Sequence, residues 1–383
     1  MVSAVYVSGK DIETLFPLLK REKPVPNLTV LGKPVAVWVA QAILGAGIED
    51  AIMTYHSIAP NVRGTIGEKV SLLECGEESA VNCAIEAVSQ AKSNDIALII
   101  GSHIFGGDFL RSSIAGWNEV GGKSLAVLVP DQLSLEERAG RIGVDVEFIG
   151  KYVKNASIIG EKDMPYLFTG TILGEREEIL DMLKSPGNIR EKIVEFLKRT
   201  RPSFYIYSGR HSSITSPWAL LELVKSLLTD TAGVYISSTA KVSPTAVIEG
   251  SVVIEDGATI DHYSVIKGPV YISRGAFVGA HTLLRSGVSV EPFAVIGAGV
   301  ELKRSYVGYG ATIGSHCNVT DSVLGERSTM RPMVVTLNFD VHEAKKRGEA
   351  YKKKGSIIGE GAIVNGGTTL KPGSVVEPGQ IYP

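Results

Sequence analysis

From Ile236 to Leu302 every sixth residue is aliphatic, twelve in succession. The residue four further on in each unit is small or β-branched, as at Ala240, Val252, Ser264 and Thr282. A helix repeats every 3.6 residues and a strand every two, so a period of six marks an internal repeat. The pattern predicts a triangular coil. Each unit is a short strand plus a corner, and three units close one turn. The aliphatic side chain points inward and stacks on its equivalent eighteen residues later. Glycine and small polar residues supply tight corners, and β-branched residues suit the flat faces. After Leu302 the register slips by one, to Val307, Ile313 and Val319. A break is predicted over Asp321–Ser356, with the repeat resuming at Ile358, Val364, Leu370 and Val376. Within the break lies VHEAKKRGEAYKKKG, which places six basic residues between Lys345 and Lys354. So much charge cannot enter an aliphatic interior, so this segment is predicted to project outward.

The first 230 residues carry a different pattern. Ala4–Ser8, Ala51–Tyr55, Ile96–Ile100 and Ser124–Val129 read as strands. Ile96–Ile100 is a continuous apolar run, as a central parallel strand requires. Helical patterns fall at Val35–Ala46, Ser79–Ala91, Glu175–Lys184, Ile189–Arg199 and Trp218–Leu228. The alternation predicts a doubly wound, Rossmann-like α/β domain over residues 1–230. An all-β coil follows over 231–383, with its basic loop at about 339–356. A net charge of -2 gives no reason to expect nucleic-acid or membrane affinity. Cys75, Cys83 and Cys317 read as too few and too scattered for a disulfide framework or a zinc site, so a reducing cytoplasm is the expectation. The opening MVSAVYVSGKDIE lacks the basic flank of a signal peptide, and no apolar run reaches the length of a membrane helix.

The six-residue pattern is similar to the hexapeptide repeat of left-handed parallel β-helices. An α/β domain followed by such a coil resembles the sugar-1-phosphate nucleotidyltransferases that carry one. The chain is most similar to the archaeal bifunctional N-acetylglucosamine-1-phosphate uridylyltransferase / amino-sugar-1-phosphate acetyltransferase. The likeness rests on FPLLKREKPVPNLTVLGKPVAVWVAQAILGAGIEDAIMT near the start, on IALIIGSHIF, and on ITSPWALLELVKSLL. It implies a Gly-x-Gly-Thr-Arg loop after the first strand, yet this chain reads Val7-Ser8-Gly9-Lys10-Asp11-Ile12-Glu13-Thr14. One glycine remains, the arginine is missing, and Asp11 and Glu13 stand where phosphates would sit. The Gly-Asp that would hold Mg²⁺ reads Gly101-Ser102, and the second metal aspartate reads Ser213. Serine hydroxyls do not replace carboxylates around Mg²⁺. Lys23 and Lys162 correspond to phosphate-binding lysines, the other reading being that they are solvated. With Gly101 they form the expected substrate site, with no metal ligand, and nucleotidyl transfer is expected to be impaired.

For the coil, the resemblance implies acetyl-CoA as acyl donor and a histidine acting as general base. His316, in GSHCNVTDSVLG, lies where that base is expected, and an imidazole near neutral pKa suits the role. Asn338, in TLNFD, would position the substrate, although counting from the Phe-Asp end puts Thr336 there. Lys345, Lys346 and Lys352 would hold the CoA phosphates. The other reading of His316 is an exposed corner residue. Two functions follow from the resemblance. One is acetyl-CoA-dependent acetylation of an amino-sugar 1-phosphate, carried out by a homotrimer or a multiple of one. The other is a non-catalytic nucleotide-sugar-binding paralogue that regulates or scaffolds an active nucleotidyltransferase.

Overall fold

The computed structural model describes residues 2–9, 12, 15–66, 70–76, 78–121, 123–131, 141–159, 164–214, 216–229, 233–347 and 353–383. The chain forms two compact units. The first comprises Met1–Thr14, Pro24–Leu28 and Pro34–Thr215; the second comprises Leu15–Lys23, Thr29–Lys33 and Ser216–Pro383. The expected boundary at 230 and 231 therefore differs in two ways. The helix Ala219–Thr229 groups with the coil, and so do two short segments from near the start of the chain.

The first unit is built on a nine-stranded sheet. Its strands are β1 (Val2–Val7), β2 (Ala51–Tyr55), β3 (Ser71–Glu74), β4 (Asp95–Ile100), β6 (Leu125–Pro130), β7 (Ile142–Glu147), β8 (Tyr152–Ile158), β9 (Tyr166–Glu175) and β10 (Ser203–Ile206). A separate two-stranded ribbon pairs β5 (His103–Phe105) with β11 (His211–Ser213). The order across the sheet is β3-β2-β1-β4-β9-β6-β10-β8-β7. The first four strands run parallel, and β1 and β4 are almost wholly buried, as strands covered on both faces must be. Beyond β4 the doubly wound expectation needs correction. Strand β9 enters antiparallel against both β4 and β6, so half of the sheet is mixed. Chain direction reverses about β1 and β4, because β1 leads to β2 and β3 on one side and then crosses to β4 on the other. That is a topological switch point, where a crevice opens at the carboxyl ends of the strands.

A second correction concerns the cysteines. Cys75 and Cys83 form a disulfide across a separation of eight residues, while Cys317 is free and buried. Ser79 caps the helix Ala80–Gln90 by accepting from the Asn82 amide, and this sets Cys83 in the first turn facing Cys75. The count of three cysteines hid this pair, because a single short loop needs no framework. No helix among the described residues is long and apolar enough to cross a membrane.

The second unit is a parallel β-helix with three faces. Along one face, Lys241–Val242, Thr259–Ile260, Phe277–Val278 and Val295–Ile296 pair in parallel, each eighteen residues after the last. The inward residues Ile260, Val278, Ile296, Ile313, Met330 and Val364 form an apolar column through the interior. The slip after Leu302 is a corner one residue shorter: Leu284 pairs with Leu302 at eighteen residues, but Val290 with Val307 at seventeen. The next turn is shortened at the same corner, since Tyr306 pairs with Val323. This narrows the predicted break. Val323–Leu324, Thr329–Met330 and Val335–Thr336 continue all three faces, and the excursion lies between Thr336 and Ile357. Counting by six lost the coil at Asp321 because two successive corners omit a residue.

The two early segments lie against one face of this coil. Tyr271, Ser289 and Tyr306 are the middle residues of strands whose neighbours point inward, so they point outward, yet they are buried. Segment Thr29–Lys33 covers them. Leu31 and Gly32 both have positive φ, which turns their successive amides toward one point. Glu291, fully buried, accepts from both amides at 2.9 Å and from the Ser289 hydroxyl at 2.6 Å. The Tyr306 hydroxyl donates to the Thr29 carbonyl at 2.5 Å. Gly32 is required here, because a Cβ would lie 2.2 Å from the Tyr271 hydroxyl oxygen. Segment Leu15–Lys23 docks further along. The Glu360 amide donates to the Leu18 carbonyl, and Lys23 Nζ lies 2.5 Å from Glu326 and 3.2 Å from Glu360.

Burial raises the Glu291 carboxyl to about 7 despite the hydrogen bonds that oppose the shift, with Glu255 adding repulsion. The folded state therefore holds this proton more tightly than the unfolded chain, and stability falls as pH rises from about 4.5 to about 7. Glu291→Gln removes that titration. The stability of the variant minus that of the parent, measured by urea denaturation, should increase across this window and level off above it. A difference that stays flat with pH would refute the assignment. Reduction of Cys75–Cys83 should lower the stability of the first unit by about 2.5 kcal/mol, the loop-closure value for eight residues, read as a drop in Tm with reductant.

Candidate functional site

The switch point lies at the carboxyl ends of β1 and β4. The Gly101 amide donates to the Val7 carbonyl at 2.8 Å and so ties the two strand ends together. Gly101 has a φ of +88°, which turns the chain toward Ser102. In the ribbon, Ser213 pairs opposite His103, and the Ile214 amide donates to the Ser102 carbonyl at 3.0 Å. Ser102 and Ser213 are thus neighbours in the fold. The Tyr6 hydroxyl lies 3.2 Å from Ser102 Oγ. Arg141 Nη2 donates to the Ser213 carbonyl at 3.4 Å.

Two histidines pack beside these residues. His103 and His211 lie with ring centroids 5.1 Å apart, and His211 stacks on Phe109 at 5.4 Å. Burial lowers His103 to about 4 and holds His211 well below the usual imidazole range, with nearby Arg141 acting in the same direction. Both rings are neutral at pH 7. His103 Nε2 lies 2.7 Å from the Ile100 carbonyl, so Nε2 carries the proton and donates. Nδ1 is then a lone pair, buried and without a hydrogen-bond partner, as is His211 Nε2. Gly170 makes room for this packing: a Cβ there would lie 2.6 Å from His103 Nε2. Among the described residues named here, the donor set is hydroxyls, neutral imidazoles and a guanidinium. It does not fit Mg²⁺, which requires charged oxygen ligands. Asp11, Glu13 and Lys162 lie outside the described residues.

Lys23 is placed by the coil. Its ammonium is held between Glu326 and Glu360, which occupy equivalent corners of successive turns. Its expected role as a phosphate-binding lysine is therefore corrected: two carboxylates hold its charge.

On the coil, His316 occupies an exposed corner with a φ of 59°, its ring lying over Gly299. Asn338 lies on a different corner, at the base of the excursion. Within one chain, then, the expected base and the amide are not brought together. The Asn338 amide donates to Asp321, and Arg304 Nε donates to the other oxygen of the same carboxylate. Arg304 also reaches Glu222 at 3.2 Å and the Lys353 carbonyl at 3.0 Å. The Lys354 amide donates to the Asn338 carbonyl, and the Gly355 amide to the Asp321 carbonyl. Asn338 therefore fastens both ends of the excursion to the coil. Lys345 is exposed on the short helix Val341–Arg347. The Lys346 side chain and Lys352 lie outside the described residues.

Sequence reasoning passed over His103, His211, Arg141 and Asp321. A signal existed for the last: Arg304, Asp321 and Asn338 follow one another at intervals of seventeen, the shortened turn length. The two histidines flank the serine positions but belong to no period.

A family model described as the GMPPB C-terminal domain matches residues 266–381, which all lie within the coil and make up under a third of the chain. A comparison with curated proteins finds no match. Among solved structures, one from Bacillus anthracis described as a glucose-1-phosphate thymidylyltransferase in complex with a sucrose is 13% identical. It covers 58% of this chain and 93% of its own length, at a TM-score of 0.48.

Asp321, 2% exposed, is the centre of the excursion base. Asp321→Ala strands the donors of Arg304 and Asn338 and should cost the coil about 1–3 kcal/mol. Limited proteolysis should then cut within 337–356 faster than in the parent. Unchanged cleavage there would show that Asp321 does not hold the excursion.

Proposed function

We propose that the protein is a non-catalytic relative of the sugar-1-phosphate nucleotidyltransferases, one that binds a nucleotide sugar or sugar phosphate and regulates or scaffolds an active paralogue. The observation that carries this reading is that Ser102 and Ser213 are neighbours at the switch point, two positions where the resemblance would call for metal carboxylates. In-line attack on an α-phosphate needs its developing charge stabilised, and a divalent cation is the usual means. The capture of Lys23 by Glu326 and Glu360 supports the same conclusion. The order of a sheet unit followed by a β-helix, together with the match of the coil to a GMPPB C-terminal domain, supports the family relation.

Acetylation by acetyl-CoA makes a further demand. His316 and the excursion leave the coil at different corners of one chain, so a shared cleft would have to form between copies, as in the expected homotrimer. Asn338 would also have to give up Asp321. Neither condition is needed for the binding reading.

The test is pyrophosphate release from mixtures of each nucleoside triphosphate with glucose 1-phosphate or N-acetylglucosamine 1-phosphate and Mg²⁺. Release should stay at background. Turnover in the ordinary enzyme range of about 1–10³ s⁻¹ would overturn the proposal.

A further inference from the structure

We infer that a cavity at the amino ends of β1 and β4 is a binding site for a small hydroxylated primary amine, of the size of an amino sugar. Ser102 follows the other end of β4, so this site goes beyond the binding reading above and does not depend on it. The cavity has a volume of about 350 Å³, at the lower end of the range for small-molecule sites. Val2 and Asp95, which pair at the start of the two strands, both line it. The helices Val35–Gly45 and Phe109–Glu119 both end beside it, the second contributing Trp117 from its last turn. After the first helix Gly47, with a φ of +81°, turns the chain so that Glu49 joins the lining.

The charges around this space favour a cation. The last carbonyls of a helix carry partial negative charge, and two helices end here. One of these ends already draws a guanidinium, since Arg111 donates to the Gly45 carbonyl at 2.7 Å. The carboxylates of Glu49 and Asp95 have no hydrogen-bond or ion-pair partner among the described residues. A metal ion is a poor occupant, because the described residues hold no group of three or more His, Cys, Asp or Glu that could bind one. An ammonium needs only charge-assisted hydrogen bonds to the two carboxylates.

Trp117 narrows the class further. It is 5% exposed, and its indole Nε1 is buried without a hydrogen-bond partner. That N–H only donates, so the occupant must bring an acceptor. A hydroxyl serves, whereas a second carboxylate on the ligand would be repelled by Glu49, Asp95 and both helix ends. An indole is also the best aromatic neighbour for a cation. An amine and hydroxyls on one small ring meet all of these demands.

The experiment is calorimetric titration of the full-length protein with glucosamine and two controls. N-acetylglucosamine keeps the ring without the charge, and cyclohexylamine keeps the charge without the hydroxyls. Glucosamine should bind at least about tenfold more tightly than either, and more weakly as salt rises. Asp95→Asn should weaken it by at least about tenfold, and Glu49→Gln, at an exposed position, in the same direction. Trp117→Phe, which keeps a ring but removes the N–H, should weaken it by about threefold or more. Absence of glucosamine binding overturns the inference, as does equal binding of either control. So does unchanged binding by both carboxamide variants, each folded by circular dichroism. Tighter binding of Nα-acetyl-lysinamide than of glucosamine overturns it in favour of a lysine side chain from a partner protein. None of these outcomes bears on the nucleotide-sugar reading.

Discussion

The coil depends on one constraint: each inward aliphatic side chain must land on its equivalent in the next turn. Ile260, Val278 and Ile296 satisfy it at a spacing of eighteen residues, and Ile313 and Met330 at seventeen. The faces cannot change length without breaking that column, whereas the corners can. This is why both the shortening and the insertion fall at corners, and at the same one. The corner that reads Arg285-Ser286-Gly287 loses a residue at Lys303-Arg304-Ser305 and again at Thr320-Asp321-Ser322, then opens into the excursion after Thr336. The stacking that orders the aliphatic residues also places Arg304, Asp321 and Asn338 in register. The excursion is consequently held by a ladder of polar contacts that the repeat itself generates.

The same regularity decided what could be read without a structure. The twelve-unit run from Ile236 was legible because every unit repeats one requirement, and a pattern sampled twelve times survives local exceptions. It failed at Asp321 because a second corner in succession omits a residue, so the step of five recurs after only two steps of six. In the first unit, Ile96–Ile100 and Ala51–Tyr55 were legible as strands since both faces are covered and the runs are continuous. Strand β9 was not. Its sequence YLFTGTILGE is interrupted by Gly170, where the register against β6 shifts, and a glycine inside a strand reads as a break.

The site was legible only in part, for a different reason. Gly101, Ser102 and Ser213 came from a resemblance that aligns positions, and the fold brings those positions together. Arg141, His103 and His211 meet these positions through burial and proximity, which no spacing encodes. Lys23 shows the converse. Its place in REKP suggested phosphate, but its partners Glu326 and Glu360 lie some three hundred residues further along. Only the coil, by stacking those two carboxylates at one corner, makes a seat for an ammonium.

Lys23 and Glu291 together explain why the early segments belong to the coil. An ammonium between two buried carboxylates and a buried carboxylate between two amides are complementary ways of satisfying charge away from water. Each needs the other partner in place. Removing the early segments would leave Glu291 buried without donors and Tyr271, Ser289 and Tyr306 facing water on a surface built to be covered. Removing the corner carboxylates would leave Lys23 without its counter-charges. The chain between them is short, since Pro24–Leu28 alone separates the two docked segments. The two docked segments thus contribute to the stability of the coil.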